Sequence, residues 1–553
     1  MPGSRSESAR PDGHADAMTR HSGQSGQRGG ASRRRFLGLA AAAVAVPAAA
    51  CSADKLGQSG GTGPGSGGGN TTRGAASENS LAGDPHWTIR HRGKPDAMMG
   101  YAGQASVLPG EPITLYASTT ARSFTVSAFR MGWYRGDLAR LVWKSGTVRG
   151  HQQRAPRVIA PTNTVEAVWG PSLSIPTHDW PEGSYLLRMD SEAGAQRYVP
   201  ITVRSASTSG KTVIKNCTAT WQAYNTWGGY DLYNGPGGAA DYGNRSLAVS
   251  LDRPYDASGA YMFLWHERKF IELAERSGLP LAYATSMDIA AQPDLLHGAS
   301  SLFSLGHDEY WSPPERSHVT AARDAGVNIG FLGANCLFRR TRIASTRLGQ
   351  GRLIICYKTS YRQDPMYGKD NALVTSDWRE PPNPDPESSL TGTLYESNPA
   401  DAAYVVATPD AWMFKGTGVS KGTKFTGLVG IEYDRVNPDY PVQRPIQVVS
   451  HSPLTCRGIH SYSDSAYYTH HGGAGVFNAG TMRWVAAMGP PHIFGMNART
   501  AAFTRHVTSN LLHAFADGPA ADKYPAQDNL DAMHEWAGDP IAASHNLWPP
   551  VTL

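Results

Sequence analysis

From Thr212 onward the sequence alternates short apolar runs with segments of helical periodicity, and this alternation restricts the fold more than any other feature. Apolar runs lie at 212–215, 301–305 and 327–332. The segments between them repeat apolar residues three and four positions apart, and one of them opens at Pro313, a residue favoured in the first turn of a helix. Strands that alternate with helices predict a mostly parallel sheet covered on both faces.

We therefore predict a doubly wound α/β domain over residues 211–518, of the glutamine-amidotransferase-like type. Residues 340–445 are rich in Pro, Asn, Thr and Gly, which indicates an insertion of loops and short strands near the active face. Residues 519–553 form a C-terminal tail. The segment around Cys336 lacks the second glycine of a Gly-x-Cys-x-Gly turn, so a cysteine nucleophile is not expected.

Residues 83–205 show a different pattern. Segments 113–117 and 124–129 alternate apolar and polar residues with a period of two, which is typical of half-buried strands. Turn signals such as Pro109-Gly110 separate the runs. Short strands at regular spacing predict an N-terminal β-sandwich. The chain is thus predicted to be multidomain, β followed by α/β.

The first 50 residues read as an export signal. Three arginines and Phe-Leu at 33–37 precede an uncharged stretch that ends near Ala50. A basic segment before a short apolar run is typical of a signal peptide, and paired arginines resemble the twin-arginine type. An ordinary secretory signal that is rich in arginine is the alternative.

Cys51 follows three alanines and resembles the lipidated cysteine of a lipobox. Residues 51–82 contain a long Gly, Ser and Thr-rich run, which is typical of a flexible linker. We expect an exported protein held by a lipid on Cys51 at the outer face of the cytoplasmic membrane. Simple cleavage after Ala50, which would leave Cys51 free, is the alternative.

Charge and cysteine usage exclude other classes. The formal net charge is +5, and residues 1–50 account for +4 of it, so the rest of the chain gives no reason to expect a nucleic-acid partner. The other four cysteines show no Cys-x-x-Cys spacing. We expect small buried residues, although an exported protein could form one disulfide.

Two unusual loops follow predicted strands, where ligands bind in open α/β sheets. One spans 220–230 and is rich in Trp and Tyr, and the other is Gly306–Trp311. In an extended chain His307 and Glu309 point the same way and Asp308 points the other way. A His and a carboxylate together could serve as metal ligand and general base. The alternative is that these groups cap backbone amides and pack.

Several motifs in this order resemble the C-terminal region of the N,N-dimethylformamidase large (beta) subunit family. They are TWQAYN at 220–225, DRPY at 252–255, GHDEYW at 306–311 and GAN at 333–335, preceded by FRMGWYRG at 129–136 and WPEGSY at 180–185. The resemblance covers about 85–517. That family holds a mononuclear ferric iron through two Tyr and one Glu beside a His, and hydrolyses a small amide.

The resemblance implies a role for each matching residue. Glu309 would be the carboxylate ligand of Fe(III) and His307 the nearby histidine. Tyr224 would be one phenol ligand, with Tyr230 and Tyr233 as neighbouring rivals. Ferric iron favours anionic oxygen donors, acidifies a bound water and polarises an amide carbonyl.

Two further assignments carry explicit alternatives. Tyr185 fits the spacing and context of the second phenol ligand, which would place the metal between the two domains. It also alternates with Leu187 and Met189, as a strand residue of the sandwich core would. Glu432 is the candidate for an additional catalytic acid, and a turn carboxylate is its alternative.

The sequence therefore favours an exported iron-dependent hydrolase of a small amide, in a family whose large subunit works with a small subunit. The competing hypothesis is a non-catalytic cell-surface lipoprotein that binds glycan or protein through the β-sandwich. A third is hydrolysis by His307 and Glu309 around a metal other than iron.

Overall fold

The computed structural model describes residues 75–534. The predicted signal peptide, Cys51, most of the 51–82 linker and the end of the 519–553 tail lie outside the described residues. The described part is a sheet-rich mixed α/β protein, and the α/β class predicted from the sequence is confirmed at that level. No helix in residues 75–534 has the length and apolar character needed to cross a membrane.

The described residues up to 205 form mostly antiparallel sheets, in which the strand Ser106–Val107 pairs parallel with Gln196–Val203. The strands are β1 (Met98–Ala102), β2 (Ser106–Val107), β3 (Ile113–Thr119), β4 (Ser123–Met131), β5 (Ala139–Lys144), β6 (Val148–Arg149), β7 (Arg157–Ile159), β8 (Thr164–Glu166), β9 (Leu173–Ile175), β10 (Gly183–Ser191) and β11 (Gln196–Val203). One sheet has the order β1-β3-β9, and a second has the order β2-β11-β10-β4-β5 with β6 beside β4.

These two sheets share one apolar cluster. Met98 and Leu115 of the first sheet pack with Val126, Leu187 and Val199 of the second, and all five are buried. Their alternation along each strand is the period-two pattern of the sequence. A β-sandwich over 83–205 stays a prediction, for which these sheets supply the strands.

The rest of the chain contributes a second set of strands. They are β12 (Thr212–Asn216), β13 (Ala248–Ser250), β14 (Leu281–Thr285), β15 (Ser301–Gly306), β16 (Tyr310–Trp311), β17 (Asn328–Gly333), β18 (Arg339–Arg340), β19 (Arg342–Thr346), β20 (Gly349–Ile355), β21 (Leu394–Val405), β22 (Lys424–Arg435), β23 (Ile446–Cys456), β24 (Ile459–Thr469) and β25 (Gly475–Asn478).

The helices are mostly short. They are α1 (Ala75–Asn79), α2 (Thr218–Ala223), α3 (Tyr261–His266), α4 (Arg268–Ser277), α5 (Ser286–Ala291), α6 (Pro313–Asp324), α7 (Ser388–Thr391), α8 (Trp484–Ala487), α9 (Ala498–Ala516) and α10 (Leu530–His534). Ser312 caps α6 through its hydroxyl, as expected for a helix that opens on proline. Gly278 ends α4 in the left-handed conformation.

A seven-stranded sheet organises the described part beyond residue 211, in the order β14-β12-β15-β17-β25-β24-β23. The first five strands are parallel, and β24 is antiparallel to both its neighbours. Val213 faces one apolar cluster with Val319 of α6, while the next residue, Ile214, faces another with Phe270 of α4 and Leu511 of α9. Both faces of the sheet are therefore covered, as the alternation of strands and helices predicts.

The region 340–445 differs from the predicted loops and short strands. It contains β21 and β22, each of 12 residues, paired antiparallel. Three shifts of register interrupt this pairing, and Pro399 with its polar neighbours breaks the alternation of side chains. The sequences of β21 and β22 therefore do not alternate apolar and polar residues, although both strands are long.

The end of the predicted linker is structured. Helix α1 lies within 51–82, and the side chains of Glu78 and Asn79 are buried. Glu78 accepts hydrogen bonds from the Tyr134 hydroxyl at 2.8 Å and from Arg140 Nε at 2.7 Å. Asn79 accepts from the backbone amides of Trp133 and Tyr134, in the turn after β4, and donates to Glu275.

Cys217, Cys336, Cys356 and Cys456 are free and buried. The prediction that they are small buried residues is confirmed. Burial raises the pKa of the Cys336 thiol well above its ordinary value, which agrees with the absence of a nucleophile elbow around it.

Candidate functional site

Two glycines bring the ends of β15 and β17 together. Gly306 pairs with Gly333 in the parallel register, and a Cβ on Gly333 would lie 2.0 Å from the Gly306 carbonyl oxygen. Gly306 has a φ of +61°, and its Cβ would meet His266. Because neither position has room for a side chain, the segments that follow, His307–Glu309 and Ala334–Asn335, emerge side by side.

The segment after β15 sends alternate side chains in opposite directions. His307 Nε2 lies 3.5 Å from Glu309 Oε2. Asp308 instead pairs with Lys215 Nζ at 2.6 Å. This is the arrangement that an extended His-Asp-Glu segment predicts, and it gives the candidate site its first two groups.

Two phenols converge on the Glu309 carboxylate. Tyr224, which follows α2, donates to Glu309 Oε2 at 2.5 Å. Tyr233 lies 2.7 and 2.9 Å from the two carboxylate oxygens, and the Tyr224 and Tyr233 hydroxyls are 3.0 Å apart. Their rings stack with centroids 4.8 Å apart. Tyr224 Oη also lies 2.9 Å from His307 Nε2.

Further side chains hold this cluster in place. Arg339 Nε donates to Glu309 Oε1 at 3.0 Å and its guanidinium also pairs with Asp377. The Tyr310 hydroxyl bonds to Tyr233 at 2.7 Å. Lys358 Nζ lies 3.0 Å from the centroid of the Tyr233 ring and donates to a backbone carbonyl at 2.8 Å. The cluster is thus anchored on several sides.

Glu432 of β22 lies on the other side of His307. His307 Nδ1 is 3.6 Å from Glu432 Oε2. Asn335 Nδ2 donates to this carboxylate at 2.8 Å and Asn398 Nδ2 at 3.2 Å. Asn398 also bonds to the Tyr395 hydroxyl at 2.7 Å. His307 therefore sits between two carboxylates. Tyr224, Tyr395 and Arg339 are half-buried, and the other side chains named for this site are buried.

Electrostatics separate the two carboxyl groups. Burial opposes ionisation of Glu309, but the contact with His307 and the Arg339 charge outweigh it and lower the pKa of Glu309 well below its ordinary value. Burial raises the pKa of Glu432, which His307 only partly offsets. Burial, followed by the Glu309 charge, raises the pKa of the Tyr224 and Tyr233 phenols well above 10 in the protein without metal.

A buried charge network lies behind the His307–Glu309 segment. Lys215 Nζ is 2.6 Å from Asp308 and 2.5 Å from Glu315, and none of the three side chains is more than 1% exposed. Ser304 donates to the same Asp308 oxygen at 2.7 Å. The ammonium also lies 3.5 Å from the centroid of the Trp311 ring. This network fixes the backbone on which the candidate ligands lie.

The structure does not bring Tyr185 into this cluster. Its ring is buried with Leu187 and Met189 in the core shared by the N-terminal sheets, and it stacks on Trp180 with centroids 5.1 Å apart. Its hydroxyl donates to the Pro181 carbonyl at 2.6 Å. The geometry corresponds to the alternative given above, a strand residue of the core.

Of the other tyrosines considered, Tyr233 joins the cluster, whereas none of the contacts above involves Tyr230. Arg339, Lys358 and Asn398 were not singled out in the sequence. Arg339 lies in β18, just beyond β17. A basic residue soon after the end of a predicted strand is the sequence feature that could have marked it as a site residue. Asn398 and Lys358 lie in the insertion, and nothing local marks them.

The donor set fits a hard trivalent metal ion. Two phenol oxygens and a carboxylate lie within 3.0 Å of one another, and anionic oxygen donors suit ferric iron. Within residues 75–534 no group of three or more His, Cys, Asp and Glu side chains is arranged to hold a metal. A metal here would therefore depend on the two phenols of Tyr224 and Tyr233 together with Glu309.

The fold and this cluster define a mixed α/β protein with a buried carboxylate–phenol–imidazole site at the carboxyl ends of its parallel strands. Residues 125–498 match the family model described as N,N-dimethylformamidase beta subunit-like, C-terminal. The match spans more than half of the chain, and the chain belongs to this family.

The other comparisons carry no argument about the activity of this chain. No curated protein matches the chain. A cycloisomaltooligosaccharide glucanotransferase from Paenibacillus sp., solved with cycloisomaltoheptaose, is 14% identical over 47% of this chain and 34% of its own length, with a TM-score of 0.14. The chain thus spans about a third of that structure, and so low a score carries no argument about fold or ligand.

Proposed function

We propose that this protein is an iron-dependent hydrolase of a small amide. The observation that carries the proposal is the convergence of Tyr224, Tyr233 and Glu309 within 3.0 Å beside His307. Membership of the dimethylformamidase-like family supports the same reaction class. We assign Tyr233, in place of Tyr185, as the second phenol.

The three oxygen-bearing side chains would hold Fe(III), and Arg339 and Tyr310 would hold those side chains in place. When bound, the ion would supply a Lewis acid for the amide carbonyl and lower the pKa of a water molecule. Tyr224, Tyr395 and Arg339 are the half-buried members of the site, so we place the entry of substrate on their side. His307 and Glu309 are buried, so bulk water does not reach their side chains.

His307 is the proposed proton carrier. Its Nε2 faces the Tyr224 hydroxyl at 2.9 Å and its Nδ1 faces Glu432 at 3.6 Å. The Glu432 carboxylate would therefore stabilise the imidazolium that forms when Nε2 takes up a proton. The side-chain amides of Asn335 and Asn398 fix the orientation of the Glu432 carboxylate. The leaving amine would receive its proton from His307.

A metal-content and visible-spectrum measurement tests the site. The purified full-length protein would be loaded with ferric iron, and we expect about one iron per chain with a tyrosinate charge-transfer band. Tyr224→Phe, Tyr233→Phe and Glu309→Gln should each lose the band and most of the iron. Tyr185→Phe is the matched control and should retain both, because its hydroxyl bonds only within the N-terminal core.

Activity is tested separately on N,N-dimethylformamide and a panel of small amides, by the release of amine. His307→Asn and Glu432→Gln should retain iron but lose about 10²–10⁴-fold in kcat, the usual contribution of general acid–base groups. A protein that binds no iron, or one in which Tyr185→Phe loses the band while Tyr233→Phe keeps it, would contradict the assignment.

Localisation and finer architecture are proposed on the sequence pattern. Lipid on Cys51 and twin-arginine export would place the enzyme outside the cytoplasm, with a small subunit as an expected partner in this family. Metabolic labelling with a radioactive fatty acid, lost in Cys51→Ala, tests the anchor. The N-terminal sheets would form a sandwich and the following sheet an amidotransferase-like domain, which an experimental structure would test.

A further inference from the structure

A cavity of about 540 Å³ lies at the junction of the N-terminal sheets and the α/β part. This volume is in the range of pockets that take small molecules. The residues of its wall used below are Arg92, Arg197 and Tyr198 from the N-terminal part, and Trp227, Tyr255 and Asp256 from the α/β part. None of these residues belongs to the site described above.

Arg197 brings an uncompensated positive charge to this wall. The side chain is buried, at 7% exposure. Its guanidinium donates only to backbone carbonyls, those of Arg92, Gln196 at 2.9 Å and Lys94 at 3.2 Å, and contacts no carboxylate among the described residues. Burial and the nearby Arg92 charge lower its pKa. A buried cation of this kind is stabilised when an anion binds beside it.

Asp256, from the α/β part of the wall, offers a hydrogen-bond acceptor. Asp256 is half-buried, and its Oδ2 accepts bonds from the backbone amide and the hydroxyl of Thr226. Its Oδ1 has no hydrogen-bond partner among the described residues. A ligand that reaches both Arg197 and Asp256 would therefore need a carboxylate and a hydroxyl donor.

Aromatic rings also line this cavity. Trp227 is half-buried and held from behind by Trp169, edge to face at 5.8 Å, and by Met99, whose sulfur accepts from the indole N–H at 3.3 Å. Tyr255 packs edge to face on Trp221 at 6.3 Å. Fixed aromatic faces of this kind suit a ligand with an apolar ring face.

We propose that this cavity binds an acidic sugar, a hydroxylated ring that carries a carboxylate. The carboxylate would pair with Arg197 and Arg92, the ring would lie on Trp227, and a hydroxyl would donate to Asp256 Oδ1. A neutral sugar would leave the buried guanidinium without an anion. An aromatic carboxylate would leave the Asp256 oxygen without a donor.

The experiment is titration calorimetry of the full-length protein with D-glucuronate, with D-glucose and benzoate as comparison ligands. We expect glucuronate to bind in the millimolar range, about −4 kcal/mol at 1 mM, and glucose to bind at least tenfold more weakly. Arg197→Gln and Asp256→Asn should weaken glucuronate binding about tenfold or more. Arg204→Gln, an arginine outside the wall, is the matched control.

Arg92→Gln provides a second test if Arg197→Gln does not fold, because the Arg92 side chain is only half-buried and its backbone carbonyl is unaffected. Tyr224→Phe should leave glucuronate binding unchanged, which separates this cavity from the hydrolase site. Absence of glucuronate binding at 20 mM, about twentyfold above the expected Kd, would overturn the proposal. So would benzoate binding as tight as that of glucuronate, or binding unaltered by all three cavity substitutions.

Discussion

Replacing Lys215 with methionine tests how the segment that carries His307 and Glu309 is held in place. The ammonium lies 2.6 Å from Asp308 and 2.5 Å from Glu315, in a network that is at most 1% exposed. Methionine nearly preserves the volume but removes the charge. Two carboxyl groups then face one another in the interior without a cation.

The expected cost follows from the partners that remain. Removing one member of a buried ion pair destabilises a protein by about 3–5 kcal/mol, because the other charge is left uncompensated. Asp308 keeps only the hydrogen bond from Ser304 at 2.7 Å. Glu315 can avoid the cost of an unpaired buried charge by taking up a proton, because burial already raises its pKa to about 7. We therefore expect Lys215→Met to lower the free energy of unfolding by about 3–5 kcal/mol at pH 8.5.

The same network predicts a pH dependence of this cost. A carboxyl group with a raised folded pKa contributes stability below its unfolded pKa and loses it as the pH rises through the folded value. In the wild type the loss from Glu315 is complete somewhat above pH 7. Without Lys215 the folded pKa rises further and the loss continues to higher pH. The difference between wild type and variant should therefore be smaller at pH 6 than at pH 8.5.

Urea unfolding followed by tryptophan fluorescence at the two pH values measures this difference. Lys269→Met is the matched control, because that buried ammonium donates to backbone carbonyls, including Gly489 at 2.6 Å, and makes no ion pair within 4 Å among the described residues. A loss below about 1 kcal/mol at pH 8.5, the size of a surface ion pair, would refute the reasoning. So would equal losses at both pH values. If Lys215→Met does not fold, Asp308→Asn tests the same contact, with a 10–100-fold loss of iron affinity expected.

Three further substitutions probe other supports. Gly333→Ala should cost about 1–3 kcal/mol in urea unfolding and weaken iron binding, because its Cβ would lie 2.0 Å from the Gly306 carbonyl oxygen; full iron affinity would contradict this. Arg339→Met should reduce iron affinity about tenfold in a chelator competition, since it removes the 3.0 Å contact with Glu309. Glu78→Ala should cost about 1–3 kcal/mol and speed proteolytic cleavage near α1; an unchanged cleavage rate would argue against a docked helix.

Local patterns predicted the parts of the fold that depend on neighbouring residues. The strands at 212–216 and 301–306 and their two covered faces follow from apolar runs between helical segments. The shared orientation of His307 and Glu309 follows from the geometry of an extended chain. These features need no information about residues far away in the sequence.

The choice between Tyr185 and Tyr233 needed such information. Both tyrosines sit in aromatic, glycine-containing contexts, and Tyr185 fitted the spacing of a ligand as well as that of a core residue. Only the packing of distant strands decides which phenol meets Glu309. Lys215 was equally hidden, because a lysine inside an apolar strand shows its role only once the carboxylates of 308 and 315 are placed beside it.

The position of α1 has a mechanical consequence. Asn79 bonds to the turn at Trp133 and to Glu275 of α4, so the chain enters the folded body at a point fastened to both of its parts. If the protein is held through Cys51, a pull along the preceding segment is shared between the turn at Trp133 and helix α4. Contacts that share a load each carry less of it, so the contacts of α1 would take up a pull before it reaches the segments that carry His307 and Glu309.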